Sequence, residues 1–500
     1  MEKKKRVVVV GGGLGGLSAA MCMRAAGHEV TVLEKNERVG GKLNIRQGLG
    51  YTFDTGPSIL TMPWVLEQLF ARTGRSLHDY VTLTRVEPQW HTVFEDGTHV
   101  DVVGDLPTMI KNIQDVHEAD AAHFMAYVAA CQKMYDLSMK SIYKDHISGV
   151  TDMRAHHSFR ELMAMEPLKT VDQVTARYVR DPRLRQLFNF FQMYIGSSPY
   201  DAPAVLSQLV YVQLGLGIYF VQGGMYRIAQ AMLRVLDELG VEVRTNAPVA
   251  SIDIKNGAAT GVTLANGGSI AADCVLCNLE FIPAHETLLK GNARAEVEIK
   301  QAHNFSPTVS GHVLLLGINR EYPQFAHHNF FFSRDAAREF DDMFVQQKVT
   351  DDPTVYVGIS CKSDRTQAPQ GKENWFVLTH VPPLQRGASW EQHRERYRNL
   401  VLEKLERMGA ADLRAHIEWK DEFIPDDIQS LYGATQGSIY GVVSNRKRNG
   451  GFKLPTKCAW AEGLYFVGGS THPGGGVPMV TLSGQLASDV VLRDVQRVPT

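Results

Sequence analysis

Apolar residues gather in short runs at both ends of the chain, and each run breaks off at a cluster of glycines. Val7–Val10 is a continuous apolar tetrad, too short for a helix and suited to a strand buried on both faces. Gly11, Gly13 and Gly16 follow directly, and a helical pattern opens near Leu14. Glu29–Leu33 predicts a second strand, which ends at Glu34. Near the other terminus Leu464–Val467 runs into a loop holding Gly468, Gly469 and Gly474–Gly476. Pro478 then opens a helix, a place where its fixed φ and missing N–H cost nothing.

The middle of the chain alternates between patterns. His91–Glu95 and His99–Val102 flank Asp96-Gly97 and predict a hairpin. From about Asp105 to Phe191 apolar positions fall at helical spacing. A helix over Ile228–Leu239 precedes Val241-Glu242-Val243, and three short strands are expected at Val249–Ile254, Gly261–Leu264 and Ser269–Leu276. Asn256-Gly257 and Asn266-Gly267 mark their turns. The dinucleotide-binding pattern is therefore discontinuous, over 1–75, 222–290 and 455–500. The intervening 76–221 and 291–454 are expected to build a substrate region of mixed β/α and helical character.

The spacing Gly11-x-Gly13-x-x-Gly16 between a strand and a helix carries chemistry. Gly11 permits a tight turn, Gly13 lets a pyrophosphate approach the backbone, and Gly16 lets helix and strand pack closely. The helix N-terminus offers free N–H groups and the positive end of its dipole to the phosphates. Glu34 is placed to accept hydrogen bonds from ribose hydroxyls. This much predicts a dinucleotide.

Composition narrows the class. The 500 residues are too many for one simple core. The net charge of −2 provides no basic field for nucleic acid. No apolar run approaches the roughly 18 residues that span a bilayer. Met1–Arg6 is basic but is followed by only the first strand, so a signal peptide is not expected. Six cysteines suggest a reducing, cytoplasmic setting rather than a disulfide framework. Cys274-Val275-Leu276-Cys277 lies in a probable strand, where residues three apart face opposite ways, and it reads as two buried small side chains. His327-His328 has no third ligand at a sensible spacing, so no metal site is expected.

The motifs also carry a resemblance. Arg38-Val39-Gly40-Gly41-Lys42 resembles the glycine pair that follows the second strand in amine-oxidase-like flavoproteins. Gly56-Pro57-Ser58-Ile59-Leu60-Thr61-Met62-Pro63, Gly223-Gly224-Met225-Tyr226 and Thr471-His472-Pro473-Gly474-Gly475-Gly476-Val477-Pro478 resemble the bacterial carotenoid desaturases and oxygenases, the phytoene desaturase-like flavoproteins. Gly196–Ser207, Tyr322–Phe332, Thr366–Pro369 and Val477–Gln485 are most similar to the terminal-methyl oxygenases of C30 carotenoids. Thr471-His472 departs from those oxygenases toward the desaturases.

The resemblance implies an α/β fold with a Rossmann-like FAD-binding domain and FAD as cofactor. It assigns cofactor contacts to Gly11, Gly13, Leu14, Gly15, Gly16, Glu34, Lys35, Gly41, Lys42, Val249, Gly468, Gly469, Val477, Pro478 and Met479. Many relatives hold an acid where Gly469 stands. The implied activity is oxidation of a carotenoid terminal methyl group to the aldehyde, with carotenoid desaturation and amine oxidation as alternatives. The substrate would be an apolar carotenoid, with O₂ as a candidate co-substrate. Flavin oxidation of an allylic C–H needs a hydride acceptor, an apolar slot and exclusion of water. No catalytic residue is assigned: His472 and Asp54 read as structural groups as readily as flavin contacts, and Phe330-Phe331-Phe332 as a buried strand. Because carotenoids reside in bilayers, the chain is expected at the inner face of the cell membrane. Its expected docking surface is the helical insertion between about Asp105 and Phe191, which carries Lys140, Lys144, Arg154, Arg160, Lys169, Arg177, Arg180, Arg183 and Arg185 near apolar runs such as Leu187–Phe191.

Overall fold

The computed structural model describes residues 4–302 and 304–497; Met1–Lys3 of the basic N-terminal stretch lie outside the described residues. A five-stranded, all-parallel sheet forms the centre of the nucleotide-binding half. Its strands are β1 (Arg6–Val10), β2 (Glu29–Leu33), β3 (Glu242–Arg244), β4 (Cys274–Cys277) and β5 (Leu464–Phe466), in the order β5-β4-β1-β2-β3. Val7–Val10 is buried on both faces, as a parallel strand between helices requires.

Three helices flank this sheet: α1 (Leu14–Ala25), α2 (Arg227–Glu238) and α3 (Val477–Arg497). Leu14 to Met23 of α1 are all buried, because the helix is enclosed by the sheet and by α3. Small residues make that enclosure possible. A Cβ on Gly484 of α3 would lie 2.3 Å from the Gly15 carbonyl oxygen and 2.8 Å from the Ala19 nitrogen. The helices therefore touch backbone to backbone, with Ser18 Oγ donating to the Thr481 carbonyl at 2.7 Å.

The second large sheet has seven strands. From one edge they are Ile417–Phe423, Ser310–Ile318, Glu373–Val381, Val355–Gly358, His328–Phe331, Trp90–Val93 and His99–Val102. All pairings are antiparallel except His328–Phe331 with Trp90–Val93. The expected hairpin at Asp96-Gly97 is present, with Thr98 N donating to Asp96 Oδ1 at 2.9 Å. It is the edge of a sheet otherwise drawn from residues 310–423.

A separate three-stranded meander comprises Val249–Lys255, Ala258–Leu264 and Ser269–Ala271. The single strand expected over Ser269–Leu276 is instead two strands in different sheets. The chain leaves the meander at Ala272 and enters the parallel sheet, where the Asp273 carboxylate accepts from Arg6 Nη2 at 2.9 Å. Cys274 then packs with Val7 and Val9 and Cys277 with Val8 and Val10, on opposite sides of the sheet. All six cysteines are free and buried.

Residues 106–214 are mainly helical, and no helix among the described residues is long and apolar enough to cross a membrane. Within the insertion expected to meet the membrane, the stretch 181–191 is structural. Leu187, Phe188 and Phe191 are fully buried. Arg183 binds Asp181 and Asp96, and Arg185 binds Asp172. Those apolar side chains belong to the core, and Arg183 and Arg185, though partly exposed, are paired with acids, while Arg180 is exposed.

Candidate functional site: a cavity joining both ends of the chain

One cavity of about 480 Å³ runs from the carboxyl ends of β1 and β2 to the inner face of the seven-stranded sheet. Ligands in open α/β sheets sit at the carboxyl ends of the strands. Every residue given a cofactor contact lines this cavity except Gly16. Gly16 acts through packing: a Cβ there would stand 2.1 Å from the Gly11 carbonyl oxygen and 3.2 Å from Val9 Cγ1. Gly11 has φ +98°, the left-handed region its turn requires.

The glycine loop is shaped by a residue the motif does not contain. Asn278, directly after β4, reaches between the two glycine loops. A Cβ on Gly13 would lie 2.6 Å from Asn278 Nδ2, and one on Gly468 would lie 2.8 Å from Asn278 Oδ1. Its position at the end of a parallel strand is the signal that points to it. At the start of α1 no side chain caps the first turn, so its orphan N–H groups are left for a ligand in the cavity.

Glu34 is buried and accepts from Gly12 N–H at 2.8 Å and Asn36 N–H at 2.9 Å. These bonds fix the carboxylate while it still faces the cavity. Lys42 also lines the cavity, but its ammonium is occupied by Glu280 at 3.0 Å and by the carbonyls of Ser438 and Ile439. It therefore ties the 438–440 segment to the Gly40-Gly41 turn and is not a free phosphate donor. Lys35 donates to the Ser430 carbonyl at 3.1 Å.

The Gly468–Gly476 loop closes against Tyr440. A Cβ on Gly475 would lie 2.8 Å from the Tyr440 carbonyl oxygen, and one on Gly469 would find that oxygen at 3.5 Å. An acidic side chain at 469 would point into this packed boundary. Lys453 lies beside the same loop, with its Cε 3.0 Å from where a Gly474 Cβ would be. It is buried, donates to the Val442 carbonyl and has no carboxylate partner among the described residues. Burial pulls its pKa down to about 7. The sequence pattern held no signal for it.

The rest of the cavity is aromatic and aliphatic. The rings of Trp90 and Phe330 meet at a tilt with centroids 4.0 Å apart, and Tyr356 lies 4.9 Å from Phe330. The Tyr356 hydroxyl sits between Ser58 Oγ and His328 Nδ1, each at 2.8 Å. Burial pushes that phenol up and His328 well down, so both stay neutral. His380, also on the wall, is lowered to about 4 by burial. Among the described lining residues the only carboxylates are Glu34 and Glu280, both in the nucleotide-binding half.

Other candidates resolve to structure. Asp54 accepts from Met225 N–H at 2.8 Å and Tyr226 N–H at 3.0 Å, holding the entrance to α2. His472 bonds the Ile142 carbonyl through Nε2 at 2.9 Å and does not line the cavity. Phe330 reaches the cavity wall while Phe331 and Phe332 are core. His327 bonds Ser363 Oγ at 2.6 Å. No cluster among the described residues could hold a metal ion.

FAD fits this arrangement: glycines leave room where side chains would intrude, α1 offers uncapped N–H donors, and Glu34 sits one strand away. The chain matches the family of flavin containing amine oxidoreductases over residues 14–492. It is 44% identical to a 4,4'-diapolycopene oxygenase of Methylomonas sp over 98% of this chain and 99% of that protein. It is 39% identical to a 4,4'-diaponeurosporene oxygenase of Staphylococcus haemolyticus over 98% and 97%. The fold is similar to that of an oxidoreductase from Methanosarcina mazei, with TM-score 0.67, 18% identity and 98% and 100% of the two chains covered. A cyclohexylamine oxidase from Brevibacterium oxydans gives TM-score 0.61 at 14% identity, over 99% and 100%. The chain is thus an FAD-dependent oxidoreductase that belongs to the flavin containing amine oxidoreductases and, within them, to the carotenoid oxygenase-like flavoproteins.

Proposed function

We propose that this enzyme oxidises the terminal methyl group of a C30 carotenoid, of the 4,4'-diaponeurosporene or 4,4'-diapolycopene type, to the aldehyde. The observation that carries the reading is a single cavity with a dinucleotide cradle at one end and an apolar chamber without a carboxylate at the other. The names of the relatives point the same way. An amine substrate would arrive as an ammonium ion, and this chamber offers it no anion.

FAD supplies the two-electron acceptor. In the proposed roles, the first-turn N–H groups of α1, from Leu14 and Gly15, face the diphosphate. Glu34 accepts from ribose hydroxyls, and Gly41, Val249 and Lys35 wall the nucleotide. The α3 N-terminus at Val477-Pro478-Met479, with Gly468 and Gly469, borders the isoalloxazine, where a helix dipole favours negative charge on the reduced ring. Segments 1–75, 222–290 and 455–500 form the cofactor unit in this reading. Trp90, Phe330 and Tyr356 exclude water from the reacting carbon and hold an extended polyene without charge. The polyene itself spreads the positive charge left by hydride loss, so no acid–base pair is needed at that step. The oxygen atom comes from water, which adds to the cation and releases a proton, or from dioxygen; the alcohol forms first, and a second two-electron oxidation, with loss of a hydride and a proton, carries it to the aldehyde. Substrate is drawn from the inner face of the cell membrane, where the enzyme sits peripherally.

Purified FAD-loaded enzyme incubated with 4,4'-diaponeurosporene or 4,4'-diapolycopene and analysed by mass spectrometry tests this. A product gaining oxygen at a terminal methyl is expected, and ¹⁸O₂ against H₂¹⁸O identifies the oxygen source. A product that has only lost pairs of hydrogens would make the enzyme a desaturase.

A further inference from the structure

Large apolar side chains are mostly buried in this fold, and the exceptions are not scattered evenly. Val150, Phe159, Met163 and Leu168 are exposed to 58%, 79%, 47% and 76% within one short stretch of the helical insertion. Phe159 and Met163 are four apart on the helix Phe159–Ala164 and so share a face. That helix is built to persist, since Ser158 and Glu161 form a capping box at its start.

Beneath this face Met153 and Met165 bury themselves with Leu137 and Ile147, and Ile142 packs against the same cluster. Ile142 also lines the main cavity. The apolar cluster of this stretch is therefore continuous with the chamber wall at Ile142.

Charge on this face is one-sided. Glu161 is taken by Lys140, Glu166 by Arg177 and Asp145 by Arg493, while Asp152 accepts from Ser148. Lys144, Arg154 and Arg160 are exposed and have no acidic partner among the described residues. Exposed apolar side chains ringed by unpaired bases match an anionic lipid surface: the apolar groups insert shallowly and the bases attract the headgroups.

We propose that the face formed by residues 144–168 docks on an anionic bilayer, and that the apolar substrate passes from the lipid into the cavity beside Ile142. The docking site thus falls in one part of the helical insertion expected to meet the membrane, away from the braced Arg183 and Arg185. The entry route, though not the docking itself, rests on the carotenoid reading above.

Flotation with vesicles of phosphatidylglycerol and phosphatidylcholine, against phosphatidylcholine alone, tests it on the FAD-loaded full chain. Wild type is expected to float with the anionic vesicles and much less with the neutral ones. The pair Phe159→Ser with Leu168→Ser, and separately Arg154→Glu with Arg160→Glu, should keep FAD content and thermal midpoint. Each pair should lower the vesicle partition on the order of tenfold. Both pairs should oxidise carotenoid in detergent micelles like wild type and lose activity on carotenoid in vesicles. Variants that float as wild type does overturn the docking face. Variants that lose flotation yet keep vesicle activity overturn the entry route. If wild type oxidises carotenoid in neither medium, the substrate reading fails and flotation alone still decides the docking face.

Discussion

Lys453 shows how a single residue in the site departs from ordinary burial rules. Its ammonium is enclosed beside the Gly474 loop with a backbone carbonyl for company and no carboxylate among the described residues, and burial lowers its pKa from 10.5 to about 7. Between those values the folded chain binds fewer protons at this site than the unfolded chain, so stability rises with pH through that window. The shift corresponds to about 5 kcal/mol of strain on the charged form at pH 7 and below. In flavin-stripped protein, Lys453→Met should be the more stable form at pH 6, and its advantage should shrink as pH rises from 7 toward 10. Thermal midpoints measured across that range check this, and parallel curves for the two proteins would contradict it. The glycines were legible in the sequence because their spacing encodes a backbone task. Lys453 was not, because its task depends on neighbours from distant segments, and Asn278 was marked only by its place at a strand end.

At the level of elements, the contact of α1 with α3 positions both flavin motifs at once. Gly484 permits it, since any Cβ there would collide with the Gly15 carbonyl. Gly484→Val should push α3 off α1 and move Val477–Met479 out of line with Leu14 and Gly15. A loss of stability of about 1–3 kcal/mol is expected for such overpacking, together with lower FAD occupancy. A lower thermal midpoint and a reduced flavin-to-protein absorbance ratio are the readouts, and a variant matching wild type in both would refute the account. The strand–glycine–helix unit and both Asn-Gly turns were readable locally, because backbone conformation at Gly11, Asn256 and Gly257 is set by near neighbours. The split of 269–276 into two strands was not. It accompanies the parallel pairing of Cys274–Cys277 with Val7–Val10, far away in sequence.

For the whole molecule, the cavity joins residues near both termini and others from the middle of the chain. A cofactor spanning them acts as a clamp, and a ligand that binds only the folded state adds roughly 2.7 kcal/mol at a hundredfold excess over its Kd. FAD added to stripped wild-type enzyme should raise the thermal midpoint. Gly13→Val should fold but show no such rise, because its side chain would occupy the space beside Asn278 where the diphosphate approaches. An equal rise in the variant would remove Gly13 from the cradle.

The sequence by itself determined the parallel core strands, the glycine turns, the helix N-terminus of α1 and hence a dinucleotide site, which the family resemblance made an FAD site. These follow from hydrophobic period, φ requirements and the dipole of one helix, all local properties. Tertiary structure alone decided the rest. It buried Phe188 and Phe191, paired Arg183 and Arg185 with acids, made Asp54 a support for α2 and Lys42 a tie to residues 438–439. It also left Phe159 and Leu168 uncovered. Whether an apolar or charged side chain meets core, partner or solvent depends on which distant elements pack over it, and spacing along the chain carries no record of that.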